Sequence, residues 1–386
     1  MKNNFQKIVC LNSGSSSLKF SLYLMGESTE QLLQKGAIER IGLADGRFWL
    51  QDGTGHIIRE VAGNYGNHNA AIAVLFSTLD ERPSAIGHRV VHGGEFFTAP
   101  TIIGDQVIDR LQGLISFAPL HLPSEIECIK AVARRFPGLA QVACFDTAYH
   151  RKMPEIARRF PLPKAVWDEG VQRYGFHGLS YEYILEALGD KARGRIIMAH
   201  LGNGSSLAAV HSGLPLDTTM GFTPTGGFMM GTRCGDLDPG VLLYMMREKG
   251  YNVDQIDSIV NQQSGLLGVS GLTSDMKTLL DATDNPQAKL AIEMYCYQMR
   301  KAIGALAAAL NGLDLLIFTG GIGEKAAPVR LAVCAGLEFL GISLDAQQNM
   351  SHAQIISSKK SSCTVMIIPT KEDLMIARHT RRIIDN

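Results

Sequence analysis

The sequence lacks the patterns of a secreted, disulfide-bonded protein and of a structural zinc site. Its seven cysteines are scattered from Cys10 to Cys363 without a CxxC pair, and such a set is typical of reduced thiols. The N-terminus, MKNNFQKIVC, contains no signal-peptide core, and the apolar run at residues 302–310 is about half the length of a membrane span. These absences predict a soluble, cytoplasmic protein with no membrane partner.

The chain has no excess of either charge. Lysine plus arginine and aspartate plus glutamate both number 37 among 386 residues. No overall field therefore attracts nucleic acid. The length exceeds that of one typical domain and suits two, each large enough to bury its own core. We expect two domains and no nucleic-acid partner.

Several catalytic motifs are also absent. The sequence contains neither GxxxxGK[ST] nor the protein-kinase signature set. His88 and His92 have the spacing of HExxH without its glutamate, so we interpret them as packing residues. Ser16 and Lys19 spell SxxK, but they fall in a predicted hairpin and no SDN or KTG follows. A nucleotide, if bound, needs a different kind of loop.

Two similar hairpin patterns begin the two halves of the chain. IVCLNSGSSSLKF and IIMAHLGNGSSLAAV each join two apolar runs through a glycine-serine turn, and Ile8 aligns with Ile197. Gly202, Asn203 and Gly204 can adopt positive φ, which would turn successive N–H groups into an anion-binding nest. Either hairpin alone is also consistent with an ordinary turn. The pair predicts an internal duplication and a phosphate loop.

Two polar residues in the first half are candidates for a site. Arg89 lies in the strand pattern at residues 85–94, where it either pairs with a protein carboxylate or presents its planar guanidinium to a bound anion. The neighbouring glycines and His92 favour the interpretation that Arg89 binds an anion. Asp146 ends the strand pattern QVACFD, at the sheet edge where α/β folds bind ligands, and a helix-capping role is the alternative.

The second half carries three further signals. His177, between glycine and aromatic residues, either satisfies a turn or faces a ligand. Residues 218–240 hold six glycines and one basic residue, Arg233, and a loop of this kind usually serves a site. Finally, a buried strand leads into GGIGE and a helix, a pattern that suits a nucleotide but is weak alone.

Apolar spacing predicts alternating strands and helices, and so an α/β fold. We expect strands at the two hairpins, at 85–94, before Asp146 and at 314–318. We expect helices at 69–79, 124–135, 181–188, 288–310 and 328–339. Ser124 is expected to cap the second of these helices, with Glu127 in the capping-box position.

Nine motifs, in order along nearly the whole chain, resemble the acetokinase family: NSGSSSLKF, GHRVVHGG, APLHLP, FDTAYH, RYGFHGLS, HLGNGSSL, the MGTR-GD-DPG loop, FTGGIGE and PT-E-L at 369–374. The resemblance implies a duplicated, ribonuclease H-like α/β fold of the kind shared by acetate and sugar kinases, heat-shock chaperones and actin, with an interdomain cleft. It implies a domain at 1–150, against which helix 373–386 packs, a nucleotide-binding domain at 151–372, and a homodimer.

The resemblance also implies an activity, the reversible phosphorylation of acetate by ATP through direct in-line transfer. Asp146, His177 and Arg233 match the catalytic residues. Arg89 matches the residue that grips the acyl substrate. Val91 follows Arg89 by two, so on a strand both side chains point to the same face, and Val91 is expected to wall the pocket for the acyl methyl group. Mg²⁺, or Mn²⁺ in its place, is expected at Asn12 and Glu372. The matching ATP contacts are Lys19, His200, Leu201, Gly202, Asn203, Gly204, Asp275, Met276, Lys277, Gly321, Ile322, Gly323, Glu324 and Lys325.

Two positions depart from the family's pattern. Lys277 stands where an arginine is usual, and Lys325 stands where an asparagine is usual; both concern the base and ribose contacts rather than phosphoryl transfer. The alternatives are a propionate or butyrate kinase and, in another class, an actin-like or chaperone-like nucleotide switch. Arg89 and Arg233 favour an enzyme, because a switch needs no clamp for a substrate anion.

The chemistry sets one further expectation. Transfer of a phosphoryl group to a carboxylate brings two anions together, so the site needs fixed donors and positive charge. Acetate is already ionised near pH 7 and needs no general base. We therefore expect Asp146 to orient Arg233 or the metal's water shell.

Overall fold

A computed structural model describes residues 5–79 and 81–385 of the chain. It consists of two compact units, one of Met1–Arg151, Gly178–Tyr183 and Lys371–Asn386, and one of Lys152–His177 and Ile184–Thr370. Each unit has a sheet and an apolar core of its own. Within the described ranges, none of the helices has the length and hydropathy needed to span a bilayer.

The first unit contains a mixed eight-stranded sheet in the order β5-β4-β3-β2-β1-β6-β8-β7. Strands β1 to β5 form an antiparallel meander, β6 and β8 extend it in parallel with β1, and β7 is antiparallel to β8. The strands are β1 Gln6–Ser13, β2 Ser17–Met25, β3 Glu30–Glu39, β4 Gly46–Asp52, β5 Ile57–Gly63, β6 Ala85–Val90, β7 Thr101–Ile102 and β8 Ala140–Phe145.

The apolar run in β1 is continuous because helices cover both faces of this sheet. Val9 and Leu11 pack with α1 (His68–Ser77) and α3 (Leu122–Arg135). Ile8 and Cys10 point the other way, where they pack with α15 (Glu372–Ile384). A strand buried on both faces shows no polar alternation.

The second unit contains a five-stranded sheet in the order β11-β10-β9-β12-β13. Strands β9 to β11 are antiparallel, and β12 and β13 run parallel to β9. The first unit has the same order and directions in β3-β2-β1-β6-β8, so the predicted duplication is confirmed. The strands are β9 Arg195–Leu201, β10 Ser205–His211, β11 Leu214–Thr218, β12 Leu315–Thr319 and β13 Thr364–Ile367.

Helices surround the two sheets. In the second unit the longest, α11, packs its Tyr295, Met299 and Ile303 into the core beneath β9 and β12. The remaining helices are α2 Asp105–Gly113, α4 Glu155–Arg158, α5 Lys164–Asp168, α6 Gly178–Leu188, α7 Pro239–Glu248, α8 Val253–Gln262, α9 Gly265–Ser270, α10 Met276–Asp281, α11 Pro286–Ala309, α12 Gly320–Lys325, α13 Ala327–Cys334 and α14 Ala346–Met350, with short 3₁₀ turns at Ile115–Phe117, Tyr149–Lys152, Gly189–Arg193 and Glu338–Leu340.

Two local predictions about helices are wrong. The helix expected to begin at Ser124 begins at Leu122, because Pro123 has the backbone angle of a first helical turn. Ser124 Oγ donates to the carbonyl of His121, and Glu127 lies near Lys130 instead of closing a capping box. GGIGE is not a turn before a helix but part of the six-residue helix α12.

The predicted anion nest is also wrong. Neither Gly202 nor Gly204 has positive φ, and Asn203 is not among the residues with left-handed backbone. At Gly204 the lack of a side chain matters for close approach rather than for backbone conformation. A Cβ on Gly204 would lie 3.1 Å from Nη1 of Arg233 and 3.6 Å from Nε2 of His177.

Candidate active site

Three polar side chains of the first unit meet where β1, β6 and β8 end. Parallel neighbouring strands bring their carboxyl ends to one edge, so Asn12 near the end of β1, Arg89 in β6 and Asp146 just after β8 lie together. Arg89 Nε donates to both oxygens of Asp146 at 3.0 and 3.1 Å, and its Nη2 donates to Oδ2 at 2.5 Å. Nη1 lies 3.5 Å from Oδ1 of Asn12.

This geometry gives Arg89 a protein partner and leaves its role towards a bound anion untested. Its guanidinium pairs with a protein carboxylate that is 1% exposed, while the arginine side chain keeps 18% exposure. Burial alone would lower the pKa of Arg89, but the charges of Asp146 and Glu372 and the hydrogen bonds to Asp146 outweigh burial and raise it. The arginine therefore stays charged, and Asp146 holds it in one orientation.

Glu372 lies at the start of α15, close to the same arginine. Burial raises the pKa of its carboxyl group, and the charges of Arg89 and Lys19 act against that rise. Lys19 is exposed on β2, opposite Asn12 in the β1–β2 register. The Glu372 carboxylate and the Asn12 amide oxygen both lie near Arg89, and oxygen ligands of these two kinds fit Mg²⁺.

Glu125 is a residue that the sequence interpretation missed. It lies on the buried face of α3 with Leu122 and Ile126 and is 3% exposed. Burial raises its pKa to about 8, against the opposing effects of the Val91 N–H and of Arg89. A carboxylate among apolar residues at helical spacing was the available signal.

Val91 itself lies just beyond the end of β6, so strand alternation does not fix the direction of its side chain. It is 6% exposed. Its N–H donates to both carboxylate oxygens of Glu125, at 3.3 and 3.2 Å. Glu125, rather than strand geometry, fixes the backbone at this position.

A second cluster lies in the second unit. His177 has left-handed backbone, with φ of 60°, and is 8% exposed. Its Nδ1 lies 2.8 Å from Oγ of Ser206, and its ring stacks on His200 with centroids 4.1 Å apart. Arg233 donates from Nη1 to the carbonyl of Pro224. His177 and Arg233 both lie within 4 Å of the place that a Cβ on Gly204 would take.

A cavity of about 700 Å³ in the second unit brings the three predicted ATP segments together. Lys277 and Lys325, the two departures from the family's pattern, both line it. The volume lies within the range of small-molecule sites. The lining residues are Gly202, Asn203, Ser274, Asp275, Met276, Lys277, Leu280, Gly321, Ile322, Lys325, Ala326 and Pro328.

Other residues of these segments support the fold around the cavity. Leu201 is a core residue and Gly323 is buried. Glu324 accepts a hydrogen bond from the N–H of Gly320, and Asp275 caps α10 by accepting from the N–H of Thr278. His200 stacks on His177. Their contacts position backbone beside the cavity.

Two histidines that share the HExxH spacing are packed inside the first unit. His88 is buried, with Nε2 2.8 Å from Oε1 of Gln141. His92 is also buried, accepts the N–H of Gly94 on Nδ1, and lies edge-on to Phe117. All seven cysteines are free, and Cys234 alone among them is not buried.

Solved structures identify the class to which this fold belongs. An acetate kinase from Porphyromonas gingivalis matches with a TM-score of 0.88 and 39% identity over 98% of this chain and 100% of that one. A propionate kinase from Francisella tularensis matches with a TM-score of 0.92 and 37% identity over 98% and 99%. The duplicated fold is therefore that of kinases of short carboxylates.

Sequence comparison gives the family. The chain is 45% identical to an acetate kinase of Rhodopseudomonas palustris, with 98% of each covered. The model of the acetokinase family matches residues 7–378. The chain belongs to the acetokinase family.

Proposed function

We propose that the protein is an acetate kinase, which transfers the terminal phosphoryl group of ATP to acetate in a reversible, direct, in-line reaction. The observation that carries the proposal is the full-length match to the acetokinase family together with a 45% identical acetate kinase. The nucleotide-sized cavity and the buried arginine–carboxylate cluster support it.

Arg89 is the proposed partner of the acetate carboxylate. A planar guanidinium matches a carboxylate in geometry and charge, and Asp146 keeps that guanidinium in place through Nε and Nη2. The role of Asp146 is therefore to position Arg89. Acetate itself needs no base near pH 7, so no proton has to leave through Asp146.

His177 and Arg233 are proposed to stabilise the transferring group. Charge spreads over the equatorial oxygens of a phosphoryl group in flight, and donors fixed in advance lower its energy. Nδ1 of His177 is hydrogen-bonded to Oγ of Ser206, and Nη1 of Arg233 donates to the carbonyl of Pro224. These contacts keep both side chains in place. The absence of a side chain on Gly204 leaves room beside both donors.

The cavity lined by Asn203, Asp275 and Gly321 is proposed to hold the nucleoside of ATP. Lys19 is proposed to contact the phosphates. Lys277 and Lys325 line the cavity where the family's pattern has an arginine and an asparagine. Their two ammonium groups are proposed to make the base and ribose contacts in place of those residues.

Asn12 and Glu372 are proposed to hold Mg²⁺, with Mn²⁺ as the alternative. The ion would neutralise the β- and γ-phosphates when ATP is bound. What supports this assignment is that both residues lie near Arg89, since Oδ1 of Asn12 is 3.5 Å from Nη1 of Arg89 and the charge of Glu372 raises the pKa of Arg89.

The protein is further proposed to work in the cytoplasm as a homodimer. Helices α7 and α8 support this proposal, because neither has a buried residue although α7 carries Val241, Leu243 and Tyr244. An apolar helical surface of this kind is typical of a protein interface.

Substrate choice is tested by measuring ADP release with formate, acetate, propionate and butyrate. Val91 is proposed to form one wall of the acyl pocket. One methylene in an apolar pocket is worth about 1 to 3 kcal/mol of binding free energy. We therefore expect kcat/KM for acetate to exceed kcat/KM for propionate by roughly tenfold. Val91→Ala should lower the ratio of kcat/KM for acetate to kcat/KM for propionate, because it makes room for the extra carbon.

The propionate kinase among the structural matches gives the competing substrate. A parent enzyme with a higher kcat/KM for propionate than for acetate would establish the competing assignment. ATP turnover that does not depend on any carboxylate would contradict both assignments.

A further inference from the structure

Glu125 occupies a position where a carboxyl group is costly. On α3 it shares the buried face with Leu122, Ile126 and Ile129, which pack into the core of the first unit. A carboxyl group is tolerated in such a place only when it is hydrogen-bonded or neutral. Its two oxygens both face the N–H of Val91.

Two charged side chains act on Glu125. Arg89 on β6 favours the ionised form, and Asp146, just after β8, disfavours it. On its own helix the thiol of Cys128 responds to the charge of Glu125, and β1 contributes the neutral Ser13, which contacts the backbone at Ser124.

Burial is the largest influence, and it raises the pKa of Glu125 to about 8. The group is therefore neutral at pH 7 and ionises slightly above it. Its neighbours are the two residues proposed to bind the acyl substrate, Arg89 by charge and Val91 by a direct hydrogen bond.

We propose that Glu125 is a positioning residue that couples one proton to the binding of the carboxylate substrate. Its neutral form holds the backbone of Val91 and adds no charge beside Arg89. Its ionised form places a further negative charge there and opposes the entry of another carboxylate. The inference rests on the proposed function, in which Arg89 and Val91 form the acyl site.

The expected effect is a dependence of the acetate KM on pH. If the protonated enzyme binds acetate and the ionised one does not, KM should be constant up to about pH 7.5, then rise roughly fourfold by pH 8.5 and roughly tenfold by pH 9. The KM for ATP should not follow this curve, since Glu125 does not line the nucleotide-sized cavity.

Glu125→Gln tests the proton, because glutamine keeps the acceptor oxygen and does not ionise. Its acetate KM should stay level from pH 7 to pH 9. Glu127→Gln is the matched control, since Glu127 is exposed on the same helix, and it should keep the parent's rise. A level profile in the parent, or the same rise in Glu125→Gln, overturns the proposal.

Glu125→Leu tests the hydrogen bond. The N–H of Val91 loses its acceptor in this variant, so kcat/KM for acetate should fall roughly tenfold at pH 7 while the KM for ATP is kept. An acetate KM equal to the parent's would show that Glu125 does not position the acyl site.

A measurement independent of turnover separates this inference from the proposed function. In protein labelled with [δ-¹³C]glutamate, one carboxyl signal should titrate near pH 8, disappear in Glu125→Gln or Glu125→Asp, and move to a higher midpoint when acetate is added. A midpoint between 4 and 5, or one that acetate leaves unchanged, overturns the inference. Absence of acetate turnover in the parent at pH 7 instead refutes the proposed function.

Discussion

Arg89 and Asp146 illustrate how single residues of this protein combine charge with burial. The carboxylate is almost fully buried and the arginine is only slightly exposed. Three donor–acceptor contacts join them. Removal of one partner leaves the other as an uncompensated buried charge, which affects both catalysis and folding.

Arg89→Ala and Arg233→Ala should each lower kcat/KM for acetate by about two to four powers of ten, because each removes a fixed donor to an anion. Arg89→Ala should also lower the free energy of unfolding by about 3 kcal/mol, since Asp146 stays buried without its partner. Steady-state kinetics and urea unfolding measure the two effects. Arg193→Ala, at an exposed ion pair with Asp190, is the control and should change neither.

His88 predicts a pH dependence of stability. Burial lowers its pKa to about 4, although the hydrogen bond to Gln141 acts in the opposite direction. The unfolded chain has a pKa of about 6.5 for this group, so below pH 6.5 it binds a proton that the folded chain does not. The unfolding free energy should fall as pH is lowered from 6.5 towards 4, with about 2 kcal/mol lost from this residue by pH 5.

Urea unfolding at pH 7 and pH 5 checks this expectation. His88→Gln should lose less stability over that interval than the parent, by the stated amount. His56→Gln, at an exposed position, should behave as the parent does. Equal losses in the parent and in His88→Gln would mean that the imidazole is protonated in the folded state.

At the scale of elements, close packing depends on positions without a side chain. Gly87 lies in the middle of β6 on the face covered by α15, and a Cβ there would overlap Oγ1 of Thr380 and Cγ2 of Ile376. The same helix begins with Glu372 and packs on β1, β2, β6 and β8. The distance between α15 and the sheet thus bears on both stability and the metal site.

Gly87→Ala should therefore destabilise the protein by about 1 to 3 kcal/mol, because overpacking moves α15 from the sheet. The Mg²⁺ concentration needed for half-maximal activity should rise as well, since Glu372 moves with the helix. Gly113→Ala is the control: it ends α2, and no atom lies within 4 Å of the place that the added methyl group would take. If Gly87→Ala had the parent's free energy of unfolding, α15 would be able to move from the sheet without destabilising the protein.

At the scale of the whole molecule, the two units repeat one strand order, yet they carry different chemistry. The first contains the arginine–carboxylate cluster and Glu125. The second contains the nucleotide-sized cavity and the His177–Ser206 pair. Duplication supplies two equivalent frameworks, and the loops and strand ends of each supply separate functions.

The proposed dimer gives a prediction at this scale. Val241→Asp combined with Tyr244→Asp places charges on the apolar surface of α7, so sedimentation velocity should show the mass of one chain for the variant and of two for the parent. Ile156→Asp is the control, because Ile156 is 90% exposed on a short helix elsewhere. A monomeric parent, or a dimeric double variant, contradicts the role of α7.

The sequence by itself determined the α/β class, the duplication, seven of the thirteen strands that the structure describes and the helices α1, α3, α6, α11 and α13. These elements follow from local apolar patterns, such as the continuous buried runs of β1, β9 and β12 and the helical spacing of α11. Strands β3 to β5, β7, β11 and β13 were not predicted. The motifs also indicated which segments meet at the cavity, because a family pattern preserves positions whose contacts are distant in sequence. The start of α3 at Leu122 and the helical GGIGE segment escaped this interpretation, since short-range capping and turn signals compete there.

Only the tertiary structure decided the partners. Whether Arg89 faces a protein carboxylate or open space depends on β6 lying beside β8, which brings Asp146 to it. Glu125 acquires its pKa of about 8 from the core that closes over α3 and from the N–H of Val91. Gly204 has no positive φ, and a side chain there would crowd Arg233 and contact His177. Charge, burial and close approach are properties of pairs brought together by folding, so no local pattern contains them.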